Sequence, residues 1–316
     1  MNIGGLVGAL VPVFFVLILG FFAGKRNSFD ADQAAGLSKL ALTFALPASL
    51  FVGMAAMPKD LLLQQGRLVL ALILSHSGLF LLAWACLRFA KTLSSTAAII
   101  YALMLSTSAT PVFGLAVLEP LLGPSSGAVG LMALAINLTV PPAVVLLEMD
   151  AASKQQQTAS SSTTQNPILI GLSAGWKSPL LWGPILGISL ALAGFHLPKV
   201  VTSCFELIGS TTSGVAVFAV GLTLAAHPIS LSRAVFIGTL GRITLQSTVL
   251  FALLHLLRVV SPFAREALVC CSFPLATAVV LFAARYKSSE AESASMLLFS
   301  TLALTVTVPV MLWLSR

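Results

Sequence analysis

Thr139-Val140-Pro141 recurs as Thr307-Val308-Pro309, an offset of 168. Val52-Gly53-Met54 recurs as Val220-Gly221-Leu222, again at 168, and Ile18-Leu19-Gly20 as Ile185-Leu186-Gly187 at 167. Composition bias scatters short matches over many offsets, so one near-constant offset in three segments marks an internal duplication. Each copy holds five apolar segments. Five is odd, so a second copy that follows five crossings enters the membrane from the opposite side. The two halves are then related by a two-fold axis in the membrane plane, an arrangement common among secondary transporters.

A membrane-crossing helix needs about 20 mainly apolar residues. The hydropathy pattern predicts spans at 5–24, 35–56, 66–89, 95–118, 126–148, 179–196, 202–225, 231–257, 264–285 and 293–314. Residues 1–148 form the first expected repeat, 149–178 a polar linker and 179–316 the second repeat. The linker contains the low-complexity run Gln155-Gln156-Gln157-Thr158-Ala159-Ser160-Ser161-Ser162, and such runs are expected to be flexible.

Composition excludes a soluble protein. The 316 residues are 58% hydrophobic and 9% charged, with mean hydropathy +1.01. A soluble domain carries about 25% charged residues. The net charge of +7 fits basic cytoplasmic loops, because no basic cluster interleaved with aromatics points to nucleic acid. Loops after the odd-numbered spans hold nine basic residues (Lys25, Arg26, Arg88, Lys91, Lys154, Lys177, Arg233, Arg285, Lys287). The other side holds six (Lys59, Arg67, Lys199, Arg258, Arg265, Arg316). That bias predicts both termini outside the cytoplasm and the linker inside. Cys86, Cys204, Cys270 and Cys271 lack metal-site spacing and imply no disulfide framework. The start of the chain has no basic region, and Lys25-Arg26 closes the first apolar run without a small-residue cleavage site. A retained span is expected rather than a signal peptide.

Two expected spans carry a proline near their middle. The fourth reads Leu105-Ser106-Thr107-Ser108-Ala109-Thr110-Pro111-Val112-Phe113-Gly114, the ninth Cys270-Cys271-Ser272-Phe273-Pro274-Leu275-Ala276-Thr277-Ala278. Proline deletes a backbone donor and clashes with the preceding turn. The neighbouring hydroxyls are expected to cap the helix that restarts. Breaks at bilayer depth are tolerated where they are buried or line a cavity. The prolines lie 163 apart, so the repeats carry a gap here. Two restarting helices that face one cavity would each contribute about half a positive elementary charge and free N–H groups, an arrangement suited to a small carboxylate.

Ionisable groups within a span cost about 3 kcal/mol at its centre and are functional candidates. Lys39 and Glu206 lie near span ends and are expected to snorkel or pair locally. Arg242, with Gln246 and Ser247 nearby, could meet a substrate carboxylate bidentately or snorkel. His76 and His255 are proton-carrier candidates, His76 the more central. Asn137-Leu138-Thr139 matches a glycosylation pattern but lies within a span; Asn137 is read as a polar contact for substrate or a coupling ion. No expected span has Asp or Glu at its centre, and no phosphate loop, metal-ligand cluster or nucleophile–base spacing occurs. The sequence therefore does not read as an enzyme.

Several stretches resemble the auxin efflux carrier family in its bacterial branch, over essentially the whole chain. They are Leu19-Gly20-Phe21-Phe22-Ala23-Gly24-Lys25, Phe44-Ala45-Leu46-Pro47-Ala48-Ser49-Leu50-Phe51, Gly114-Leu115-Ala116-Val117-Leu118-Glu119-Pro120, Ser213-Gly214-Val215-Ala216-Val217-Phe218-Ala219-Val220-Gly221-Leu222 and Ala283-Ala284-Arg285-Tyr286. Within that family the chain is most similar to the malonate and oxalate type carriers. The resemblance implies an all-α protein of ten transmembrane helices with broken, crossed helices 4 and 9. Spans 1, 2, 6 and 7 would form a dimerising scaffold, and spans 3–5 and 8–10 a transport domain moving in an elevator-like cycle. Plant members often carry an asparagine beside the span 4 crossing. Ser108, Ala109 and Thr110 stand there in this chain, which suits a smaller and more polar anion.

The sequence thus predicts a bacterial inner-membrane carrier for a small dicarboxylate, malonate first, without cofactor or metal. The expected substrate site is Pro47, Ser49, Ser108, Thr110, Pro111, Asn137, Arg242, Ser272, Pro274 and Thr277, with His76 and Asn137 as candidates for coupling a proton or sodium ion. Its expected partners are the anion, the bilayer and a second copy of the chain. The alternative is an efflux carrier for an amphipathic monocarboxylic acid of auxin type.

Overall fold

The computed structural model describes residues 3–110, 118, 126–158, 176–177, 179–195, 197–226, 229–259 and 263–314. In chain order the helices are α1 (Ile3–Lys25), α2 (Ala31–Leu40), α3 (Leu46–Ala55), α4 (Lys59–Gln64), α5 (Gly66–Ile73), α6 (Leu79–Phe89), α7 (Ser95–Ser106), α8 (Ser126–Thr158), α9 (Pro179–Ala193), α10 (Lys199–Gly209), α11 (Thr211–Ala226), α12 (Arg233–Leu256), α13 (Phe263–Cys270), α14 (Thr277–Arg285) and α15 (Glu290–Leu314). A π turn over Ala41–Ala45 joins α2 to α3, and another over Leu74–Gly78 joins α5 to α6. Apart from one isolated antiparallel bridge, no strand occurs among the described residues.

Among the described residues six helical runs are long and apolar enough to cross a membrane: Asp32–Ala55, Gly66–Phe89, Ala128–Gln155, Lys199–Ala226, Arg233–Leu256 and Glu290–Trp313. Phe14–Lys25, Ser95–Ser106 and Pro179–Ala193 are apolar but shorter. The ninth expected span is divided into α13 and α14. Helix α8 continues to Thr158, ten residues beyond the end expected at 148. The extension uses good helix formers, and Asp150 pairs with Lys154 at 2.9 Å across one turn.

The helix ends repeat as the sequence does. Asn27 (φ 52°) and Gly194 (φ 72°) are left-handed closures 167 residues apart. Each carries the same pair of bonds: Ser28 N donates to Ala23 O and Asn27 N to Gly24 O, Phe195 N to Leu190 O and Gly194 N to Ala191 O. Lys91 (φ 53°) and Arg258 (φ 50°), also 167 apart, close α6 and α12.

Gly20 and Gly187 set two of the close helix contacts, and their partners correspond too. A Cβ on Gly20 would lie 2.3 Å from Phe218 O, and one on Gly187 2.5 Å from Phe51 O. Gly20 and Gly187 differ by 167, and so do Phe51 and Phe218. Helix α1 therefore packs on α11 as α9 packs on α3. That exchange, in which a residue of each half meets the counterpart of the other's partner, is the pattern a two-fold relation produces. Lipid offers no hydrophobic drive between helices, so such backbone approaches supply the packing.

The buried apolar side chains form two clusters. One gathers Leu17, Leu42, Phe80, Ile100, Leu147, Val220 and Phe282. The other gathers Met54, Leu72, Leu134, Leu250, Phe273 and Leu304. The irregular segments around Ser108 and Pro274, whose apolar residues belong to both clusters, form the candidate site.

Candidate functional site

Helix α7 stops at Ser106, and Thr107 turns to extended backbone (φ −118°, ψ 144°). Helix α13 stops at Cys270 and α14 begins at Thr277. The two irregular stretches meet. Ser108 and Leu275 form an antiparallel bridge, and Ala109 N donates to Pro274 O at 2.7 Å. Backbone groups freed by the helix breaks thus satisfy one another, as burial demands. Leu275 N donates to Ser300 Oγ on α15 at 3.1 Å.

Three hydroxyls beside the breaks bond the preceding helix, and at the ninth span this corrects the capping expected from sequence; the restart of the fourth lies outside the described residues. Ser106 Oγ donates to Ala102 O (2.8 Å), Thr107 Oγ1 to Leu103 O (2.7 Å) and Ser272 Oγ to Val269 O (2.6 Å). Each bonds within the helix that has just ended; Leu103 O and Val269 O also accept the backbone N–H of Thr107 and Ser272. The N-cap of α14 is Ala276, with no side-chain cap. Of its leading N–H groups Val279 N bonds back to Ala276 O at 3.0 Å, and the Ala276 side chain caps none.

Helix α12 backs the pairing. Arg242 Nε donates to Thr107 O and Nη2 to Pro274 O, both at 3.1 Å, so one guanidinium ties the two broken segments. Gln246, one turn on, donates from Nε2 to Ser106 O at 3.0 Å. Both side chains are fully buried. No carboxylate pairs with Arg242 among the described residues. The carbonyl dipoles at the end of α7 share in its neutralisation instead.

The opposite face of the pairing borders a cavity of about 310 Å³. Thr107, Ser108 and Ala109 line it together with the first turn of α14 through Thr277. Ser49 and Gly53 of α3 face them, and Asn137 of α8 closes one side. None of the described lining residues is charged.

Of the expected site residues, Ser49, Ser108, Asn137 and Thr277 come together here. Thr110 Oγ1 lies 2.8 Å from Ser108 Oγ, one residue behind the wall. Pro47 sits beneath α9, its carbonyl 2.8 Å from where a Cβ on Gly183 would stand. Ser272 lies in the turn after α13, where its carbonyl accepts from Thr307 Oγ1 at 3.3 Å. Pro274 is part of the pairing and Arg242 stands behind it. Pro111 lies outside the described residues. His76 is fully buried in the second π turn, away from the cavity lining. Its Nδ1 lies 3.0 Å from Leu72 O, which can only accept, so Nδ1 carries the hydrogen and Nε2 is left an acceptor without a partner.

Sequence reasoning missed Ser300 and the backbone role of Gln246. Both are polar residues inside apolar helices, and that was the available signal. Neither position says which distant backbone group it will meet.

An α-helical chain with spans long enough for a bilayer, and a cavity with hydroxyl groups beside interrupted helices, has the architecture of a membrane transporter. The chain belongs to the membrane transport protein family, whose model matches residues 6–312. It is 30% identical over 315 residues to the uncharacterized transporter YfdV of Escherichia coli K12, covering 98% of both chains. The proteins of that name from Escherichia coli O157:H7 and Shigella flexneri match at the same identity. The resemblance to bacterial auxin efflux carriers is thereby borne out over nearly the whole chain. The family is one of transporters, not of enzymes.

Proposed function

We propose that the protein is a secondary active transporter of a small organic anion, with malonate or a similar dicarboxylate as first candidate. One observation carries the reading. The start of α14 and the Ser108 and Thr277 hydroxyls face Ser49 and Asn137 across a cavity with no acidic side chain among its described lining. Helix-start N–H groups and hydroxyls bind carboxylates without a formal charge. Arg242, tied behind the pairing, adds a fixed positive charge without touching the substrate. A dianion still calls for a co-transported proton or sodium ion, so symport is part of the proposal. His76 and Asn137 are the residues proposed to couple it.

In this reading ten spans form two inverted repeats, a scaffold of spans 1, 2, 6 and 7, and a transport domain of spans 3–5 and 8–10. The reciprocal Gly20–Phe218 and Gly187–Phe51 contacts support the two-fold relation. Movement is elevator-like, and the carrier works as a homodimer in a bacterial inner membrane with both termini outside the cytoplasm. Uptake of labelled malonate into proteoliposomes, with sodium and proton gradients varied separately, tests the proposal. Ser108→Ala and Thr277→Ala should each raise the half-saturating concentration severalfold. Unchanged uptake in the double variant sinks the site assignment.

A second reading, efflux of an amphipathic monocarboxylic acid, is favoured by the apolar wall that Leu46, Leu50, Met54, Met57 and Ile136 give the same cavity. Rapid loss of preloaded indole acids without malonate uptake would select it.

A further inference from the structure

A second cavity, about 500 Å³, lies beyond the first along the same three helical runs. The inner cavity touches Leu46 to Met57 of the second expected span, Ala216 of α11 and Ala276 to Phe282 before and within α14. The outer one touches Ala34 to Thr43, Ala219 to Ala226, and Ala284 to Lys287. The two share no lining residue, yet each helical run passes from one to the other within about a turn. Leu42 of the outer lining and Phe282 of the inner one are 1% and 2% exposed and belong to one buried apolar cluster.

The outer cavity differs from the inner one in charge. Lys39, Arg285 and Lys287 line it against Glu290 alone, three positive groups less one negative, a net of +2. Glu148 from outside the lining engages Arg285 at 3.0 Å. Lys39 and Lys287 take part in no ion pair among the described residues. Charges of one sign on low-dielectric walls concentrate counter-ions and speed their capture.

We propose that the outer cavity is an anion-collecting vestibule of the transport path, and that Leu42 and Phe282 are the door between it and the inner site. The proposal rests on the anion-carrier reading and specifies how small carboxylates reach the site from the face that carries the α1–α2 and α14–α15 turns. Lys39 and Lys287 raise the local concentration of the anion and leave its final affinity to the Ser108–Thr277 wall.

The test uses the full chain with the exposed Cys86 and Cys204 replaced by serine and Thr43→Cys as reporter inside the cavity. Its modification rates by an anionic sulfonatoethyl and a cationic trimethylammonioethyl methanethiosulfonate are compared, each normalised to a free thiol. The anionic reagent should be favoured about tenfold, and Lys39→Gln with Lys287→Gln, or high salt, should abolish the preference. A normalised ratio at or below one, or a ratio the double substitution leaves unchanged, overturns the vestibule. In proteoliposomes the same double variant should raise the half-saturating malonate concentration on that face while the maximal rate holds. A preference for the anionic reagent without any malonate transport keeps the vestibule and rejects malonate. Normal malonate transport without the preference keeps the carrier and rejects the vestibule.

Discussion

Ser300→Ala isolates a single bond in the candidate site. Ser300 Oγ accepts from Leu275 N at 3.1 Å and donates to Leu297 O at 3.0 Å. Leu297 belongs to α15, so its carbonyl keeps a helical donor. Leu275 N has no such reserve: it is the backbone donor next to Pro274, and Leu275 is 0% exposed. Alanine removes the acceptor and leaves a buried N–H unpaired, a cost of about 1–3 kcal/mol. At about 1.4 kcal/mol per factor of ten, the segment around Pro274 should open about five- to 150-fold more often. Hydrogen exchange of a peptide covering 271–276 in detergent or nanodiscs measures this directly. Ser300→Thr keeps the oxygen and should restore most of the protection. Exchange unchanged in the alanine variant, or equally fast in the threonine variant, refutes the reasoning.

Gly221→Ala places a Cβ 2.3 Å from Leu17 O and should force α1 from α11, lowering stability by about 1–3 kcal/mol in thermal unfolding followed by fluorescence; an unchanged midpoint contradicts the contact. Arg242→Lys keeps the charge but cannot span Thr107 O and Pro274 O as the guanidinium does, so uptake should fall at least about tenfold while folded protein is still recovered. Wild-type uptake in that variant would show that charge alone suffices. Burial, together with the bond from Tyr286 Oη to Glu148 Oε1 at 2.6 Å, raises the Tyr286 hydroxyl above its ordinary value of 10.0. A raised acid contributes stability that is complete below that value and is lost as pH climbs through the raised one. Tyr286→Phe should therefore lose less stability than wild type between neutral and strongly alkaline pH, and parallel curves would reject the assignment.

Much of the site was legible in the sequence because its signals are local. Pro274 lacks an N–H wherever it stands, so an interruption there could be read from one residue and its bilayer setting. Ser108 and Thr277 stood out as hydroxyls beside interrupted apolar runs. Their neighbours misled for an equally local reason. A hydroxyl next to a break can bond the helix before it or the helix after it, and Ser272 takes the former course. Arg242 was read as reaching a substrate carboxylate or snorkelling. It is fully buried rather than snorkelling and meets two carbonyls, one of them 135 residues away, and no local pattern encodes that.

The sequence by itself determined a membrane class, helical structure, a repeated sequence pattern and the stretches where helices give way. These follow from hydropathy, residue spacing and the missing donor of proline, and all are properties of a chain segment. Only the tertiary structure decided which face of the interrupted segments is open and which is sealed. Ser108 and Thr277 face a cavity, whereas Arg242 and Gln246 close the other side. That division depends on α3, α7, α12 and α14 packing at one depth. Residues far apart in the chain satisfy one another's backbone groups there.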